Sequence, residues 1–131
     1  VQLTATDYCP DYPHISYGSE LARCQRYYFH LVSGNDQLIG IGQNYGDPDF
    51  FAEVEFPVTM RAAPSLDITT GTNYYRMFQN NSSDDMNSFV INRANTNKCN
   101  LYDNGSGGSA GKGGMLVTNN ASASVAFKAE L

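Results

Sequence analysis

The chain contains no tryptophan, two histidines and three cysteines, and its eight Lys and Arg face thirteen Asp and Glu. Each shortage excludes something. A net charge of -5 excludes a nucleic-acid binder, because counterion release needs clustered Lys and Arg. No apolar run is long enough to cross a bilayer, so membrane insertion is not expected. Cys9, Cys24 and Cys99 form no CxxC pair, and with only His14 and His30 beside them no zinc spacing exists. No metal and no cofactor are expected. An odd count leaves at least one thiol unpaired. Three buried or half-buried thiols, kept reduced during synthesis, are the simplest expectation. A Ser or Cys nucleophile would need a histidine base, yet there is no GxSxG elbow and neither histidine has a visible partner. No signal peptide is legible, and the opening VQLTATDYCP, without Met, reads as a fragment or a processed product.

What is present points to strands. The 131 residues fit one domain spanning 1–131, with enough length to bury a core. Nine Tyr and seven Phe accompany abundant Asn, Ser, Thr and Gly, a β-protein composition. Only Gly18 to Ala22 invites a helix, as one turn capped by Ser19. RCQRYYFHLVS then reads as a strand, with Tyr27, Phe29 and Leu31 on one face and Cys24, Arg26, Tyr28 and His30 on the other. Gly34-Asn35-Asp36 has hairpin chemistry. In QLIGIGQN, Leu38, Gly40 and Gly42 alternate with Ile39 and Ile41, and the bare glycine face suits close approach of another backbone. FFAEVEFPVTM has the strictest period of two. It places Phe50, Ala52, Val54, Phe56, Val58 and Met60 inward, and Phe51, Glu53, Glu55, Pro57, Thr59 and Arg61 outward. Shorter strands are expected at 64–69, 73–78, 87–92, 115–118 and 121–131. NNSSDD and NRANTNKCN read as linkers, and Asp103 to Gly114 as a mobile surface loop. Many short strands at near-regular spacing predict an all-β, antiparallel β-sandwich of jelly-roll type with at most one short helical turn.

Few residues carry candidate chemistry. Glu53 and Glu55 lie about 7 Å apart on one strand face, within the roughly 5–9.5 Å that glycoside cleavage uses. Any exposed strand with two glutamates passes that test, so the expectation is that the chain is not an enzyme. Gly111-Lys112 lacks a phosphate loop's flanking residues, because Ser106 and Gly113 stand where Gly and Ser or Thr are needed. Aromatics beside acids in loops are the stronger signal. Saccharides are held by flat apolar rings next to planar hydrogen-bonding groups, and Tyr supplies both at low entropic cost. The candidate ligand contacts are therefore Tyr45, Asp47, Asp49, Tyr74, Tyr75, Tyr102 and Asp103.

Three strings carry a resemblance. ELARCQRYYF (Glu20 to Phe29), FPVTMRAAPSL (Phe56 to Leu66) and the ending KAEL (Lys128 to Leu131) resemble a C-terminal domain of tail fibres, tailspikes and minor structural proteins of tailed bacteriophages. The first two strings are specific; the third is weak by itself, and nothing between Gly71 and Val125 is diagnostic. The resemblance implies a homotrimeric host-recognition domain on the virion tail, made in the bacterial cytoplasm and binding cell-surface polysaccharide. Two sequence features are compatible with a trimer. Pro57 cannot donate to a ladder, so its strand is expected at an edge or a bulge. An edge bearing Phe56, Val58 and Met60 needs covering by a neighbour, and the Gly40/Gly42 face is another place to admit one. Arg61, on the face of Glu53 and Glu55, is expected to pair across strands or subunits. Three functions follow: a non-catalytic glycan-binding module, a structural trimerisation cap, or a glycan-cleaving domain using Glu53 and Glu55.

Overall fold

The computed structural model describes residues 16–105 and 107–129. Cys9, His14, Ser106 and the Glu130-Leu131 ending lie outside the described residues.

One helix and ten strands follow in order: α1 (Tyr17–Gln25), β1 (Tyr28–Ser33), β2 (Leu38–Asn44), β3 (Phe50–Glu55), β4 (Ser65–Ile68), β5 (Tyr75–Gln79), β6 (Ser82–Met86), β7 (Val90–Asn92), β8 (Lys98–Asp103), β9 (Gly113–Thr118) and β10 (Ser124–Lys128). All strand pairs are antiparallel. They form a small sheet in the order β1-β10-β4 and a large one in the order β6-β5-β9-β2-β3-β8-β7. The late strands β9 and β10 sit between early ones, the interleaving of a jelly roll. The hairpin β7–β8 widens the large sheet beyond β3.

The two sheets share one apolar core. Phe127 of β10 is fully buried, stacks on Phe29 of β1 with ring centroids 6.3 Å apart, and meets Phe56 at 5.1 Å. From the large sheet come Ile39, Ala52, Val54, Met77, Leu101 and Leu116. Tyr75 is buried too. Its hydroxyl donates to the carbonyls of Thr69 and Ser124, and burial pushes its pKa up to about 12. Burial likewise pushes the Cys99 thiol up to about 12, which makes it a core side chain rather than a nucleophile.

Several local expectations are corrected. The helix runs nine residues rather than one turn. Its cap is Ser16, whose hydroxyl accepts from the Ser19 amide at 3.3 Å; Ser19 lies inside the helix. The helix takes in Cys24, which is exposed rather than buried, and Arg26 caps its end, so neither belongs to a strand face. Gly34 to Asp36 is a corner between sheets, because β1 and β2 belong to different ones. Ile39 and Ile41 do not share a face. A register shift between Leu38 and Gly40 sends Ile39 into the core at 5% exposure and leaves Ile41 outside at 68%. NNSSDD is a hairpin and not a linker. Asn80 and Asn81 have φ of 52° and 60°, as a two-residue type I′ turn requires, and Ser82–Met86 pairs with β5. NRANTNKCN likewise runs into β8.

The strand carrying Pro57 is neither an edge nor bulged there. β3 ends at Glu55 and lies inside the large sheet between β2 and β8. Beyond it the ladder gives way to a pinned segment: the amides of Phe56 and Met60 donate to the carbonyls of Asn97 and Thr96. Phe56 and Met60 are core, and Val58 is half-buried. Arg61 therefore never reaches Glu53 or Glu55. Its guanidinium lies 5.3 Å from the Tyr27 ring centroid, and its amide donates to the Arg26 carbonyl. The Ala129 amide donates to the Tyr27 carbonyl at 2.8 Å. The described parts of the three resembling strings thus meet at one corner as scaffold.

Gly42 has a purpose within the chain. A Cβ there would fall 1.6 Å from the Phe51 carbonyl oxygen, so the close backbone is that of β3 and not of a neighbouring subunit. Gly113 on β9 has nothing nearer than 3.8 Å. Gly42→Ala should cost at least about 3 kcal/mol through strand displacement, whereas Gly113→Ala should stay within about 0.5 kcal/mol. Urea denaturation of both variants measures the difference.

Candidate functional site

The outward face of the large sheet follows from strand register. Gln43 of β2 stands opposite Phe51 of β3, and Phe51 opposite Tyr102 of β8. Directly opposed side chains lie about 5 Å apart. The rings use that proximity: Phe51 and Tyr102 stack with centroids 4.8 Å apart and planes 27° from parallel. Tyr45, just past β2 and 82% exposed, meets Phe51 edge-on at 6.5 Å. The Arg93 guanidinium lies 5.4 Å from the Phe51 centroid. Asp49 accepts a hydrogen bond of 2.8 Å from the Tyr102 hydroxyl, and this bond, with partial burial, raises the Tyr102 pKa.

These groups, with Asn100, enclose an open cavity of about 490 Å³. It has an aromatic floor and a rim of one carboxylate, one guanidinium and two side-chain amides. A second depression of about 410 Å³ continues it along the sheet past Ile41, Glu53 and Gly113. Together they form a groove open to solvent.

The groove is held in place from below. Asn44 and Gln79 are inward-facing, 1% and 7% exposed. The Gln79 amide donates to Asn44 Oδ1 at 2.7 Å and to the Lys112 carbonyl at 2.9 Å. Gln79 Oε1 accepts from the Ser109 amide, and Asn44 Nδ2 donates to the Gly107 carbonyl. Backbone bonds from Asn44 to Lys112 and from Gly111 to Asn44 complete the set. Gly108, at φ 83°, leaves no room for a side chain, since a Cβ would lie 2.7 Å from Asn44 Oδ1. The stretch expected to be a mobile loop is thus tied down across 107–112. The same Asn44 leads directly into the Tyr45–Asp49 turn, closed by the Tyr45 amide on the Asp49 carbonyl.

Of the seven candidate contacts, Tyr45, Asp49 and Tyr102 come together here. Asp47 is exposed on the same turn but does not line the groove. Asp103 bonds the Gly105 amide as a local turn. Tyr74 is half-buried at the core margin, its ring against Gly71. Tyr75 is excluded as a ligand contact, being fully buried. Phe51, Arg93, Gln43 and Asn100 are additions. Phe51 had a signal in the sequence, as an aromatic on the polar face of the most regular strand. Arg93 and Asn100 had none, because they lie in a stretch read as a linker. Glu53 and Glu55 are exposed on the outer face. Glu53 is 3.0 Å from the Lys98 ammonium, whose pKa it raises. Among the described residues no cluster of three or more His, Cys, Asp or Glu could hold a metal ion.

This geometry defines an antiparallel β-sandwich with an aromatic groove on its larger sheet. No protein-family model matches the chain, and no curated protein or solved structure is significantly similar to it.

Removing either amide of the buried pair strands its partner away from water. Asn44→Ala and Gln79→Ala should each cost about 1–3 kcal/mol. The double variant should cost less than their sum. A urea double-mutant cycle measures this; full additivity would show that the two amides act separately.

Proposed function

We propose that this chain is a non-catalytic host-recognition module of a phage tail fibre or tailspike that binds cell-surface polysaccharide in the groove of Tyr45, Phe51 and Tyr102. The observation that carries the glycan part is the stacked Phe51–Tyr102 floor with Asp49, Arg93, Gln43 and Asn100 around it. Pyranose rings present apolar C–H faces and equatorial hydroxyls, which such a floor and rim complement. The tail location and a virion role rest on the resemblance of the three strings. Cleavage is disfavoured by the setting of Glu53. A catalytic acid needs burial or a like-charge neighbour to hold its proton, and Glu53 is half-exposed beside a cation.

A second reading, a trimerisation cap, is favoured by unpartnered apolar surface. Helix α1 buries none of its residues and exposes Tyr17 and Leu21, with Tyr27 and Tyr28 exposed just beyond it. On the large sheet Phe78, Met115 and Ile41 form one exposed cross-strand row. Assembly through α1 is compatible with binding, whereas burial of the Ile41 row would cover the end of the groove that Ile41 lines.

On a glycan array of bacterial surface polysaccharides the domain should bind. Tyr102→Ala and Tyr45→Ala should each weaken binding roughly tenfold, and Tyr17→Ala, on α1, should not. Binding to no polysaccharide would leave the assembly reading alone. Reducing-end assays on the bound polysaccharide should detect no release of sugar, and release lost in Glu53→Gln would make the chain a hydrolase.

Light scattering on the full chain should give three times the chain mass. A monomeric mass would remove the trimer from both readings.

A further inference from the structure

We infer that the groove selects a saccharide bearing a carboxylate and that Arg93 is the residue that reads it. This rests on the glycan reading above and names the substituent that decides affinity.

The inference starts from the charges that border the groove. Asp49 already accepts the Tyr102 hydroxyl at 2.8 Å. Glu53 is engaged by Lys98 at 3.0 Å, and Glu55 stands opposite the same lysine in the β3–β8 register. Asp103, at the end of β8, bonds the Gly105 amide. Arg93 lines the groove, yet among the described residues it forms no ion pair and no side-chain hydrogen bond. Its one contact of note is the Phe51 ring face. That contact satisfies the charge in part but leaves the N–H donors open.

The backbone at Arg93 is also unusual. It follows the last residue of β7 with φ at 46°, a left-handed conformation that costs a non-glycine residue about 1–2 kcal/mol. Strain of this kind persists where surrounding structure over-determines it, often at ligand clamps. Here it directs the chain out of β7 at the point where the side chain reaches over Phe51. Among these bordering charges Arg93 and Lys98 face Asp49, Glu53, Glu55 and Asp103, so the surroundings stay acidic and Arg93 is the cation lining the cavity that an incoming anion can meet. A planar carboxylate fits a guanidinium fork with two parallel hydrogen bonds. Asn100 and Gln43 stand ready for the hydroxyls of the same sugar, and Phe51 and Tyr102 for its ring.

The test uses the full chain and oligosaccharide pairs: oligogalacturonate, oligoalginate and hyaluronate fragments, each against its carboxyl-reduced derivative, with sulfated dextran fragments as a further arm. Titration calorimetry reads affinity. At least one carboxylated member should bind tenfold or more tightly than its reduced partner, as loss of a charge-assisted bidentate bond implies. Arg93→Ala should erase that difference and Arg93→Lys should restore only part of it. Methyl-esterified probes, which leave the protein untouched, should behave like the reduced ones. Equal binding of both members of each pair, a preference that survives in Arg93→Ala, or tighter binding of sulfated dextran would overturn the inference. If no probe binds while neutral glycans still bind through Tyr102, the carboxylate inference falls and the groove reading stands. If neither binds, both fall.

Discussion

One buried amide pair carries an unusual share of this structure. Asn44 and Gln79 come from β2 and β5, strands separated in the sheet by β9. Their side chains bond each other and also take up backbone groups that a glycine-rich stretch would otherwise leave to water. A buried polar group without a partner is costly, and a complete network avoids that cost while fixing one geometry. The consequence reaches the surface. Asn44 faces inward, and its neighbours Gln43 and Tyr45 belong to the groove. The floor of the site is therefore positioned from the inside of the sandwich.

The sheet also explains why the outer face is available. Its two edges are poor templates for further strands. β7 has three residues, and β6 carries Ser82, Ser83, Asp84 and Asp85. Short and charged edges discourage pairing. Asp85 bonds Arg76 of β5, which holds its carboxyl below the usual range. The large apolar side chains left exposed stand instead on the sheet face and on and just beyond α1.

Much of the architecture was legible because period two is a strong signal wherever one face is buried. FFAEVE alternates as a half-buried strand must, and the structure follows it to Glu55. The legible part stopped where backbone constraints override side-chain pattern. Phe56 and Met60 keep the period, but Pro57 removes a donor between them and the chain leaves the ladder. Strands made of polar residues were invisible for the opposite reason. SSDDM pairs with β5 through its backbone, and its sequence offers no β-branched or aromatic residue. The site was half legible. Tyr45, Asp49 and Tyr102 are polar-aromatic loop or strand-end residues, which composition flags. Tyr75 carries the same signal yet lies in the core, because single-residue chemistry does not reveal which side of a strand a tyrosine takes. Arg93 depends on the β7–β8 hairpin, and without that pairing nothing in the sequence brings it to Phe51.

The interleaved strand order has a kinetic side. β10 occupies the centre of the small sheet, between β1 and β4, and β9 joins β2 to β5 in the large one. Early hairpins such as β2–β3 and β5–β6 can pair as soon as they are made, but neither sheet closes until residues beyond 112 have emerged. A topology dominated by such distant pairings folds slowly, because loop-closure entropy is lost before the contacts that repay it exist. During synthesis the inward faces of the early strands must wait, exposed, for residues 113–129, the last seventeen of the described chain.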